Sequence, residues 1–224
     1  MRDSEMKLDP ERAERLGIGE AVFCTDKSPT QIDQILDQAK KAGAAMLITR
    51  LASSKHEQLT TENRKLINYD PISETGFFQI QPAPGLCQAV AIVTAGTSDA
   101  RIAREAARTL AFSGVEATVI FDVGVAGLWR LTERIEEIKS HPIVIAVAGM
   151  DAALVSVLGG LVPGLLIAVP TSTGYGAARG GETALAAALV SCSPGVLVCN
   201  IDNGYGAACA ALRAIQVAKL LRKI

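Results

Sequence analysis

From Gln88 onward the chain repeats one unit: a continuously apolar run, a turn of glycine and polar residues, then a stretch with helical spacing. The runs at 89–94, 117–121, 143–148, 165–169 and 196–200 predict strands, and the stretches at 99–112, 128–139, 152–158, 182–190 and 207–221 predict helices. Strands without polar alternation are buried on both faces, which requires helices above and below a parallel sheet. The expected fold is therefore α/β, a three-layer α/β/α doubly wound parallel sheet, with a small mixed α/β segment ahead of it. Few aromatic residues and an excess of Ala, Gly and Val in the second half suit close packing of helices on a sheet.

The first part of the chain is more polar. It predicts a short strand at 21–23, a helix at 30–42 opened by Ser28-Pro29-Thr30, and a strand at 46–49. Between Tyr69 and Pro84 fall Pro71, Gly76, Pro82 and Pro84, a punctuated stretch that reads as a linker. The expected division is an N-terminal segment at 1–84 and a main domain at 85–224. With 224 residues the chain is long enough for a sizeable core without staples.

A net charge of −1 with scattered Lys and Arg argues against nucleic acid as a partner, so an anionic ligand would be small and held locally. The most apolar region, 154–169, is broken by Gly159, Gly160, Pro163 and Gly164 and cannot form a continuous spanning helix. Five cysteines with no CxxC spacing and no secretory leader fit reduced thiols in a cytoplasm rather than disulfides or zinc. The expectation is a soluble cytoplasmic protein without a membrane partner.

In doubly wound sheets ligands gather at the carboxyl ends of the strands. Five polar or glycine-rich segments fall there: 95–99, 122–124, 149–151, 170–174 and 200–206. Gly96, Thr97, Ser98 and Asp99 stand where a strand passes into a helix, so their amides and hydroxyls can hold a phosphate or carboxylate, or simply cap the helix. Asp151, after Gly149 and Met150, can act as general acid or base, or equally as a cap. Arg130 can reach a phosphate from beyond the loop of Asp122 and Gly124, or serve as a surface cation.

Cys192 lies beside the Pro194-Gly195 turn, where it can project toward the ligand edge, whereas Cys199 and Cys209 occupy apolar strand and helix positions. Neither His56 nor His141 forms a convincing pair with it.

The motifs Gly96-Thr97-Ser98-Asp99, Phe121-Asp122-Val123-Gly124-Val125-Ala126-Gly127 and Ala148-Gly149-Met150 occur together. With them come Val169-Pro170-Thr171-Ser172, Gly174-Tyr175-Gly176, Ser191-Cys192 and the run from Asn200 through Asn203 to Gly206. In this combination the chain resembles the LarB family of nickel-pincer cofactor biosynthesis. That family's core is similar to the purine-pathway AIR carboxylases and carboxyaminoimidazole ribonucleotide mutases. Leu47-Ile48-Thr49-Arg50-Leu51 extends the likeness into the first part.

The resemblance implies carboxylation of the pyridinium ring of nicotinic acid adenine dinucleotide with CO2 or bicarbonate, followed by hydrolysis of the phosphoanhydride. The products would be pyridinium-3,5-biscarboxylic acid mononucleotide and AMP. Cys192 would be the nucleophile, Ser98 and Asp99 would hold the ring or the incoming carboxylate, and Asp151 would serve proton transfer or hydrolysis. Gly96, Thr97, Asp122, Gly124, Arg130, Gly149, Met150, Thr171, Ser172, Asn200 and Asn203 would bind the substrate. No organic cofactor is expected; Mg2+ at the pyrophosphate is compatible with the chemistry. The likeness also implies a homo-oligomer, a dihedral octamer, with the Ala-rich and Gly-rich half between subunits.

Family members usually carry Glu where this chain has Asp151 and His where it has Trp129. Those departures keep a second expectation open: a divergent homologue, either a carboxylase or mutase of another aromatic nucleotide or a non-catalytic regulatory ligand-binding protein of the circadian phase modifier kind.

Overall fold

A computed structural model describes residues 7–9, 11–80 and 87–222. The chain divides into two compact units, Met1–Ala83 and Pro84–Ile224. The first contains α1 (Arg12–Leu16), β1 (Ala21–Phe23), α2 (Pro29–Ala42), β2 (Met46–Thr49), α3 (Ser53–Gln58), α4 (Thr61–Lys65), β3 (Ile67–Asp70) and β4 (Thr75–Phe78). Its sheet runs β1-β2-β4-β3, with β1 parallel to β2 and the other pairs antiparallel.

Helix α2 forms where the sequence stops one conformation and starts another. Ser28 accepts a hydrogen bond from the Gln31 amide while the Gln31 side chain accepts from the Ser28 amide, closing a capping box, and Pro29 occupies the first turn. Ile32, Ile35, Leu36 and Ala39 share one face at helical spacing and are buried with Ile48 and Phe78. Gly43 ends the helix at φ 63°, a left-handed position where a side chain would be strained.

The expected linker is corrected. Residues 69–78 belong to the β3–β4 hairpin, and Gly76 lies in β4 rather than in a loop. A Cβ on Gly76 would come within 2.6 Å of the Ile67 side chain, so the glycine marks a close cross-strand approach. Residues 81–84 lie outside the described residues.

The second unit contains β5 (Cys87–Thr94), α5 (Ala100–Phe112), β6 (Val115–Ile120), α6 (Leu128–Lys139), β7 (Ile143–Ala148), α7 (Ala153–Gly159), β8 (Leu165–Pro170), α8 (Glu182–Leu189), β9 (Leu197–Val198) and α9 (Gly204–Leu221). All four pairings in the order β6-β5-β7-β8-β9 are parallel. Every residue of β7 is buried, as its unbroken apolar run requires of a central strand covered on both faces. The expected architecture is present. The last strand is shorter than expected, and α9 begins three residues earlier, because Asn203 caps it by accepting the Gly206 amide at 2.8 Å.

No helix among the described residues is long and apolar enough to cross a membrane.

Candidate active site

The chain leaves β5 toward β6 on one side and returns to place β7 on the other, so the loops after β5 and β7 diverge. Crevices form at such switch points, outside the carboxyl ends of the strands. A cavity of about 350 Å³ opens there, walled by 95–99 after β5, by Asp122 and 124–126 after β6, by 148–154 around the start of α7, and by Thr173 after β8.

Asp99 is the buried acid of this cavity, only 2% exposed. Its Oδ2 accepts the Gly96 amide at 2.9 Å and its Oδ1 accepts the Thr171 hydroxyl at 2.7 Å. Burial pushes its pKa up, and hydrogen bonds from Thr171, Gly96 and Thr173 oppose that shift without cancelling it, while the charge on Asp202 adds to it. The carboxyl therefore holds its proton to a higher pH than an exposed aspartate.

Asp122 follows β6 in a left-handed conformation, φ 57°. The Thr94 hydroxyl accepts its amide at 3.0 Å and the Thr94 carbonyl accepts the Val123 amide at the same distance. Its carboxylate pairs with Arg130, whose side chain folds back over Gly127; a Cβ there would lie 2.7 Å from the guanidinium Nε. Arg130 is thus held at Asp122 and is not part of the cavity wall. Gly124 is required where it stands, since a Cβ would meet the Ala95 carbonyl at 2.5 Å.

After β7, Gly149 packs against the Thr173 carbonyl, with only 2.5 Å available to a Cβ, and that carbonyl accepts the Met150 amide at 2.9 Å. Met150 and Ala152 both have positive φ, 55° and 50°. Asp151 is exposed and lines the cavity; its Oδ1 accepts the Ala153 amide at 3.3 Å, but the cap position of α7 is held by Ala152 without a side-chain bond, so the expected cap at Asp151 is corrected. Asp122, Met150, Ala152, Arg179 and Asp202 are the positive-φ non-glycine residues described in this unit, and all belong to loops on the carboxyl edge. Backbone strain of about 1–3 kcal/mol per residue concentrates at functional edges of this kind.

The third loop pair ties itself together. Ser172 donates its amide and hydroxyl to Asp202 at 2.9 and 2.6 Å, and Arg101 approaches the same carboxylate at 3.7 Å. Asn200 accepts the Ile201 amide and Asn203 caps α9. Thr171 reaches the cavity through Asp99, while Ser172, Asn200 and Asn203 stand beside it on the same edge. Thr173, which lines the cavity and bonds Asp99, belongs to the 170–174 segment expected on the ligand edge but was not singled out there; its signal was its place in the hydroxyl run Thr171-Ser172-Thr173.

Cys192 is elsewhere. In a parallel sheet the segment between α8 and β9 lies at the amino ends of the strands. Contacts agree: the Ser191 and Ser156 hydroxyls are 2.8 Å apart, Ser193 donates to the Ser156 carbonyl at 2.9 Å, and a Cβ on Gly159, the last residue of α7, would lie 2.6 Å from the Ser193 side chain. The thiol is exposed, on the edge opposite the cavity, so the expectation that it projects toward the ligand edge of its own chain is corrected. Cys24 is fully buried and burial pushes its thiol up to about 12, while burial also raises Cys199.

Residues 3–80 match the family model of the LarB/PurE-like N-terminal domain, and residues 89–223 match that of AIR carboxylase. An uncharacterized protein of Methanocaldococcus jannaschii, MJ0165, is 36% identical over 234 residues, covering 99% of this chain and 87% of that protein. With both halves matched in order, the chain belongs to the LarB family and carries an AIR carboxylase core, which supports a carboxylase-type role.

Proposed function

We propose that the protein carboxylates the pyridinium ring of nicotinic acid adenine dinucleotide and hydrolyses its phosphoanhydride, giving pyridinium-3,5-biscarboxylic acid mononucleotide and AMP. The observation that carries the reading is the charge of the cavity. Among the described residues Asp99, Asp122 and Asp151 line it, Asp122 already paired with Arg130, and no Lys or Arg does, an environment suited to a cationic ring rather than to a bare anion.

A pyridinium ring is too electron-poor to attack CO2. Addition of a thiolate at ring carbon 4 converts it to an enamine, whose carbon 5 forms the new C–C bond with CO2. Transfer of the carbon 5 proton to a carboxylate and expulsion of the thiolate from carbon 4 restore the aromatic ring. Asp151 at the cavity mouth and Asp99 within it are the candidate acceptors. Water then breaks the P–O–P bond and AMP leaves.

Cys192 supplies the thiolate, and because it lies on the opposite edge of its own sheet, it does so in the cavity of another copy of the chain. The homo-oligomer is therefore part of the proposal. Among the described residues no three His, Cys, Asp or Glu side chains converge on a metal position; a magnesium ion would be held by the pyrophosphate together with one or two carboxylates of the cavity. The short Asp151, bonded to its own helix start, and Trp129 in place of the usual histidine favour the second reading, a ligand-binding or altered-substrate homologue.

Incubation with the dinucleotide and isotopically labelled bicarbonate decides between them. The labelled biscarboxylated mononucleotide with AMP, absent from Cys192→Ala, supports the carboxylase; unchanged dinucleotide with a folded protein supports the second reading.

A further inference from the structure

We infer that Tyr175 is the platform on which the adenine base of the dinucleotide stacks, an inference that rests on the substrate class proposed above. A cavity of about 350 Å³ is near the lower end of small-molecule sites. It accommodates the pyridinium mononucleotide half and leaves the adenylate half beyond the mouth. Among the described residues the wall contains no aromatic side chain to receive that base.

Tyr175 lies two residues along the chain from Thr173 of the cavity wall. Thr173 lines the cavity, and the next residue, Gly174, packs so closely on Met150 that an added Cβ would lie 3.2 Å from its sulfur. Tyr175 follows, 83% exposed, between Gly174 at φ 139° and Gly176 at φ 53°. Both flanking conformations favour glycine, and the Tyr175 carbonyl accepts the Ala178 amide at 3.0 Å. The loop backbone is thus fixed on both sides of Tyr175 while its ring is exposed on the chain. An aromatic face exposed this close to the cavity wall adds nothing to the core of the chain and is available to stack a base.

The test measures binding of AMP, nicotinic acid mononucleotide and the dinucleotide to the full chain by calorimetry, with Tyr175→Ala and Tyr175→Phe as variants. Tyr175→Ala is expected to weaken AMP and the dinucleotide roughly ten-fold, the usual scale of one base stack, and to leave the mononucleotide unchanged. Tyr175→Phe keeps the ring and restores affinity. The inference is overturned if wild-type protein does not bind AMP, if AMP affinity ignores the alanine change, or if mononucleotide affinity falls by the same factor. The labelled-bicarbonate assay separates the two claims: AMP held through Tyr175 without carboxylation removes the reaction alone, and carboxylation with AMP indifferent to Tyr175 removes the platform alone.

Discussion

The Thr171 hydroxyl donates to Asp99 across 2.7 Å, joining the end of β8 to the turn after β5 over 72 positions of sequence. This bond favours the ionised carboxylate in a place where burial disfavours it. Thr171→Val keeps the shape and removes the donor. It is expected to raise the Asp99 pKa further and to cost about 1.5–3 kcal/mol, the range for a hydrogen bond to a charged group. Denaturant unfolding at neutral pH checks the cost, and a variant as stable as wild type contradicts it.

Asp99 also sets a pH dependence. Its pKa is raised on folding, so folding favours the protonated acid: its contribution to stability is fully present below the ordinary aspartate pKa and is lost as pH rises through the folded value. A carbon-detected NMR titration should therefore place the Asp99 midpoint above the ordinary aspartate value of 3.8. A midpoint at or below that value would show that the hydrogen bonds outweigh burial.

Gly149→Ala places a Cβ 2.5 Å from the Thr173 carbonyl. Since a backbone carbonyl cannot swing aside like a side chain, the β7 and β8 loops must separate, at about 1–3 kcal/mol. Thermal unfolding should show the loss, together with weaker binding of the mononucleotide. An alanine variant with unchanged stability and affinity would mean that the two loops slide freely.

The thiols should separate by reactivity. Cys192 is exposed, whereas Cys24 is buried and its pKa is pushed up to about 12 by desolvation. Brief iodoacetamide treatment of the native protein, read by peptide mass spectrometry, should label Cys192 and spare Cys24. Equal labelling of both would contradict the burial of Cys24.

The layered sheet was legible because its strands are unbroken apolar runs, and the edge that carries the cavity followed from their direction. The β3–β4 hairpin was not, since Gly76 reads as punctuation in sequence and only its contact with Ile67 shows it to be a strand residue. Thr173 was missed for a related reason: its carbonyl bond to Met150 and its hydroxyl bond to Asp99 are tertiary. Cys192 misled because a cysteine beside a Pro-Gly turn looks equally accessible at either edge of a sheet, and only the connection from α8 to β9 fixes which edge it occupies.

A composite site built from two copies predicts complementation. Cys192→Ala and Asp99→Asn should each be inactive alone, one lacking the thiol and the other the buried acid. The two proteins are then dissociated, mixed and reassembled, and formation of labelled biscarboxylated mononucleotide is measured by mass spectrometry. Recovery of part of the wild-type rate is the predicted result, because mixed assemblies bring an intact Cys192 to an intact Asp99; a mixture as inactive as its components, with mixed oligomers present, would contradict the account.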